Sequence, residues 1–103
     1  MNREQAARKN HHSRYSCSSA VYRAFSDLVQ GDAPTPRSEG GKCGAVLAGE
    51  KVLKELGLDS SSFDAQFLAR FHSLKCGDLR RAGFLCNDLV GAAARMAEEG
   101  IGH

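Results

Sequence analysis

Residues 16–30 read SCSSAVYRAFSDLVQ, and they decide the fold class. Cys17, Ala20, Val21, Ala24, Phe25, Leu28 and Val29 fall three or four apart, the spacing that lays one apolar stripe along a helix. Ser13 or Ser16 supplies the oxygen that caps its start, and Gly31 ends it. The same period recurs downstream. A second helix is predicted from about Gly41–Cys43 to Gly57, with Ala45, Val46, Gly49, Val52, Leu53 and Leu56 along its apolar side. A third is predicted over about Ser62 to Leu74, edged by Phe63, Phe67, Phe71 and Leu74, which read as core. Cys76-Gly77 breaks it, Asp78 caps a short turn through Ala82, and Gly83 leads into a last helix over about Asn87 to Glu99. That helix buries Leu89, Val90, Ala93, Met96 and Ala97. No segment alternates polar and apolar residues over any length, so strands are not expected. The expectation is an all-α fold, a small bundle of about four helices with its cysteines near helix N-termini.

Outward from these segments the chain is less regular. Residues 1–14, MNREQAARKNHHSR, hold good helix formers but little apolar face. They read as an N-terminal tail or short helix ahead of a single domain over 15–103. His11 and His12 do not share a helix face, so a bidentate metal site is not expected from the pair; they read as solvent-exposed, with one extra metal ligand as the alternative. His72 reads as a surface residue and His103 as terminal. The stretch 31–41, GDAPTPRSEGG, is a loop, since its prolines and glycines forbid regular helix.

A chain of 103 residues suffices for one domain. It is 42% hydrophobic and 25% charged, with a formal charge of +2, which argues against nucleic acid or a membrane surface as partner. No apolar run approaches the ~20 residues of a membrane helix, and the N-terminus lacks the apolar middle of a signal peptide. The expected location is the cytoplasm, where thiols are kept reduced.

That compartment turns attention to the four cysteines, Cys17, Cys43, Cys76 and Cys86. Each falls at or near a predicted helix start, where unpaired N–H groups and the positive end of the helix dipole favour a thiolate. Thiol pKa values can be depressed there, and thiolates are the form that attacks disulfides and binds metals. No Cys-x-x-Cys is present, so neither a zinc ribbon nor a thioredoxin-like dithiol is indicated. Any shared site must be assembled by tertiary folding. Gly44 and Gly49, inside the second helix, cost up to ~1 kcal/mol each relative to alanine. Something must therefore approach the backbone there, either a cofactor or a neighbouring helix. Lys42 is followed by Cys43 rather than Ser or Thr, so 38–44 is not a phosphate loop. There is no serine nucleophile elbow and no pair of catalytic carboxylates.

Three stretches carry a resemblance: YSCSSAVYRAF (15–25), GGKCGAVLAGEKVL (40–53) and FHSLKCGDLRRAGFLCNDLVGAAARMAEEG (71–100). They resemble the small bacterial proteins classed as redox-active and named for a C-GCAxxG-C-C cysteine pattern. Cys43-Gly44-Ala45 through Gly49 is similar to the central box, and Cys76 and Cys86 match the two C-terminal cysteines. The resemblance implies an all-helical redox protein. Two departures stand out. The box reads Cys-Gly-Ala instead of Gly-Cys-Ala, and the interval after the first cysteine helix is short. The short interval implies a more open site or one completed by a second subunit.

Three functions follow as expectations. In the first, Cys17, Cys43, Cys76 and Cys86 ligate an iron–sulfur cluster for electron transfer, with Gly44 and Gly49 against it; zinc is the lesser alternative, because zinc sites usually take cysteines in close pairs. In the second, the same cysteines act as catalytic thiols in metal-free thiol–disulfide exchange. The third is a zinc-stabilised or non-catalytic helical interaction module, with a second copy covering an apolar groove as a homodimer. The first two require a redox partner protein, whose identity the sequence leaves unknown.

Overall fold

The structure is a computed structural model, and it describes residues 2–31 and 43–101. Most of the predicted loop 31–41, Lys42 and the terminal His103 lie outside those residues. Among the described residues every regular element is a helix: α1 Arg3–His12, α2 Cys17–Arg23, α3 Gly44–Glu55, α4 Ser61–Phe71, α5 Cys76–Arg81 and α6 Cys86–Ile101. The all-α expectation is met, but the count of about four is corrected to six. The two extra helices are α1 and the short α5.

α1 forms because Asn2 and Gln5 cap it reciprocally. The Asn2 side chain accepts from the Gln5 N–H at 2.7 Å, and the Gln5 side chain accepts from the Asn2 N–H at 3.4 Å. The segment is not a solvated tail: Ala7 is fully buried and α1 packs on α6 and α2. Arg3 fastens it to the end of α2, donating to the Ala24 carbonyl at 2.8 Å, pairing with Asp27 and lying over the Phe25 ring. Asn10 adds a hydrogen bond to the Ala20 carbonyl at 3.1 Å. The polar composition that hid this helix in the sequence is what docks it.

α2 is shorter than its periodicity predicted. Beyond Arg23 the backbone tightens, with Ala24, Phe25 and Ser26 donating to the carbonyls three residues back. A three-residue turn advances the side chains faster than the α-helical period. Leu28 thus leaves the stripe and stands 40% exposed, while Phe25 and Val29 stay buried. α3 ends in a paired C-terminal motif, Gly57 N–H to the Lys54 carbonyl and Leu58 N–H to the Leu53 carbonyl, with Gly57 at φ +75°. Asp78, expected to cap a turn, is instead the third residue of α5; its carboxylate takes the Ser73 hydroxyl at 3.1 Å and pairs with Arg81.

α6 is the axis of the molecule and touches α1, α2, α3 and α4. Its run from Leu89 to Ala94 is buried on all sides, as expected of a helix with neighbours all round. Small residues make that possible. The Arg8 guanidinium lies across Gly91, where any Cβ would meet it at 2.3 Å. On the other side of the core, Phe63, Phe67, Phe71 and Phe84 form a ring ladder, the last pair edge to face at 5.0 Å.

Gly49 belongs to this packing. A Cβ there would sit 2.3 Å from the Phe63 ring. Gly49→Ala should destabilise the fold by about 1–3 kcal/mol through overpacking, despite alanine's better helix propensity. Phe63→Leu in the same chain should recover part of that loss, read as the coupling in a urea-unfolding double-mutant cycle.

Candidate functional site

The site is assembled from helix starts. α2 begins at Cys17 because the Ser16 hydroxyl accepts the Ser19 N–H at 3.2 Å. Cys43 is the N-cap of α3, and its side chain makes no capping hydrogen bond. Cys76 and Cys86 are the first residues of α5 and α6. Two contacts draw these starts together. The Cys43 N–H donates to the Leu74 carbonyl at 2.8 Å, tying α3 to the segment that leads into α5. Gly44 rests against the first turn of α2; a Cβ built on it would lie 3.1 Å from the Ser18 nitrogen and 3.5 Å from the Cys17 Cβ. Any larger residue would push the two cysteine-bearing turns apart.

The result is electrostatic contact among four free thiols. Burial, and then the nearby Cys86 and Cys43 thiols, push the Cys17 thiol from its ordinary 9.0 up to about 12. The proximity of Cys76 acts in the same direction. Cys43 is buried and its pKa is also raised, burial outweighing the nearby Ala45 and Val46 N–H groups, which act the other way. The pKa depression expected at helix starts is therefore reversed for Cys17 and Cys43. A helix terminus typically contributes ~0.3–1 kcal/mol, and one pKa unit corresponds to ~1.4 kcal/mol. Loss of water and like charges on three sides outweigh a contribution of that size.

Sequence reading missed His11. It is half-buried rather than exposed, with Nε2 3.9 Å from the Cys17 Sγ and Nδ1 3.3 Å from the Asn87 amide nitrogen. A residue on α1 thus reaches the start of α2 and the start of α6 at once. No periodicity could signal it, because α1 has almost no apolar face. His72 is exposed at the C-cap of α4, in the left-handed region at φ 68°. Gly49 faces Phe63, so of the two glycines only Gly44 borders the cysteines.

Among the described residues, no group of three or more His, Cys, Asp or Glu side chains is arranged to hold a metal ion. None of the helices there is long and apolar enough to cross a membrane. No family model matches the chain, and neither a curated protein nor a solved structure is significantly similar to it.

The raised Cys17 pKa has a consequence for stability. Its folded-state value lies above the unfolded one, so the native state holds the proton more tightly. That contribution is fully present below about pH 9 and is lost as pH rises toward 12. In reduced, metal-free protein the urea midpoint should fall between about pH 9 and 11, and the fall should be shallower in Cys17→Ala. Equal slopes in the two proteins would assign the alkaline loss to other groups.

Proposed function

We propose that the protein is an electron carrier of a reducing compartment, the cytoplasm, in which Cys17, Cys43, Cys76 and Cys86 together hold one iron–sulfur cluster. The observation that carries this reading is that Gly44 seats the start of α3, with Cys43, against the turn that carries Cys17, while the Cys43 N–H holds the Leu74 carbonyl just ahead of Cys76. Burial disfavours the anionic form of Cys17 and Cys43, and a cation that takes the place of their protons offsets that cost. The donor set suits a cluster better than a mononuclear ion. A single tetrahedral ion needs every sulfur ~2.3 Å from one centre, whereas each thiolate of a four-iron cluster binds a separate iron. The resemblance of 15–25, 40–53 and 71–100 to a redox-active family points the same way.

When bound, such a cluster supplies reversible one-electron chemistry. The chain's own residues do the rest. The Ala45 and Val46 N–H groups favour the charged form of the Cys43 sulfur. Gly44 keeps the α2 and α3 starts close. Burial of Cys43 limits access of water and oxidants to that sulfur. An electron carrier also needs a donor and an acceptor, so a redox partner protein is part of the proposal.

A metal-free reading has one observation in its favour: of the other three thiols, Cys86 acts most strongly on Cys17. Joining them as a disulfide would release two electrons and two protons to an acceptor disulfide. Against it, Cys17 attacks only as thiolate, and its pKa of about 12 leaves almost none near neutrality.

Anaerobic reconstitution with ferrous iron, sulfide and reductant separates these readings. The expected result is brown protein with visible absorbance that each single Cys→Ser change at the four positions abolishes or bleaches. Colourless protein retaining one zinc per chain would reject the cluster. Loss of two thiols on mild oxidation, mapped to a Cys17–Cys86 peptide and without iron retention, would replace it by the disulfide pair.

A further inference from the structure

The side chains around His11 form a directed chain of hydrogen bonds. Arg8 is held by Glu4 at 3.1 Å and by Asp88 at 3.0 Å, and its guanidinium lies over the bare Cα of Gly91. Arg8 also donates to the Asn87 Oδ1 at 3.0 Å. Guanidinium has no acceptor, so this contact fixes which end of the Asn87 amide is oxygen. The Asn87 NH₂ group then points to the Arg8 carbonyl at 3.5 Å and to the His11 Nδ1 at 3.3 Å. An amide NH₂ only donates, so the His11 Nδ1 must accept. The hydrogen of the neutral ring is left on Nε2, which faces the Cys17 sulfur at 3.9 Å.

We propose that His11 is a positioning residue for Cys17: Asn87 and Arg8 set its tautomer so that its Nε2–H donates to the Cys17 sulfur. The donor favours negative charge on that sulfur. It does so from α1, an element that brings no cysteine of its own. The hydrogen bond stands independently of the cluster. Its effect on reduction potential rests on the cluster reading, since an N–H donor to a ligating sulfur favours the more negative, reduced form and raises the potential.

Two measurements test the proposal, and only the second requires a cluster. The first is nitrogen-15 NMR of histidine side chains in the reduced, metal-free protein. His11 should show Nε2–H with an unprotonated Nδ1, and Asn87→Leu should abolish that preference. An Nδ1–H tautomer, or a tautomer unmoved by Asn87→Leu, would overturn the proposal. The second is the reduction potential of the reconstituted protein. His11→Leu should lower it, while His11→Gln, whose side-chain amide can still donate, should restore most of the shift. An unchanged potential in a folded, loaded His11→Leu protein would overturn the proposal. If no cluster assembles in the wild-type chain, the electron-carrier reading falls, and the tautomer measurement alone decides the role of His11.

Discussion

The bare backbone of Gly44, seated on the first turn of α2, is the contact from which the site follows. It sets how closely the starts of α2 and α3 approach, and so how closely Cys17 approaches Cys43. The Cys43 N–H then secures Leu74, and the chain passes directly into α5 and Cys76. α6, lined with glycine and alanine where other helices need a larger stripe, lets α1, α2 and α3 close around it. Small residues at these crossings give up side-chain burial, worth ~25 cal/mol per Å² of apolar surface. What they gain is proximity between helix starts.

That proximity creates a conflict between two electrostatic effects. A helix start favours an anion, and the Ala45 and Val46 N–H groups favour the charged form of Cys43. Yet burial and neighbouring thiols push the Cys17 and Cys43 pKa values upward. Cys17 and Cys43 are thus held toward their neutral form. Under the proposed cluster reading, a bound cation would let the amide dipoles add to an attraction instead of opposing a repulsion.

α1 changes how the rest of the molecule should be viewed. Arg3 and Arg8 carry it onto the core through ion pairs with Asp27 and Asp88, while the Arg8–Glu4 pair lies within α1. Exposed ion pairs contribute little individually, and here their effect is mainly directional. They hold Ala7 against α6 and aim His11 between Cys17 and Asn87. An N-terminal segment that reads as tail by composition becomes a wall of the cysteine site.

The three-four spacing of apolar residues was enough, by itself, to establish an all-helical chain, since periodicity is a local property that burial of one face imposes on each segment separately. It determined the phenylalanine edge of α4 and the buried face of α6. It overran α2, because a tightening to three-residue turns after Arg23 leaves no mark in composition, and it left α1 open between tail and short helix and α5 as a short turn, where polar anchoring or brevity replaces a stripe. Only the tertiary structure decided that Gly44 borders the cysteines while Gly49 packs on Phe63, that His11 meets Cys17, and that the thiol pKa values rise. Each of these depends on distances between residues remote in the chain and on the water their packing removes, and neither quantity is written in the local order of amino acids.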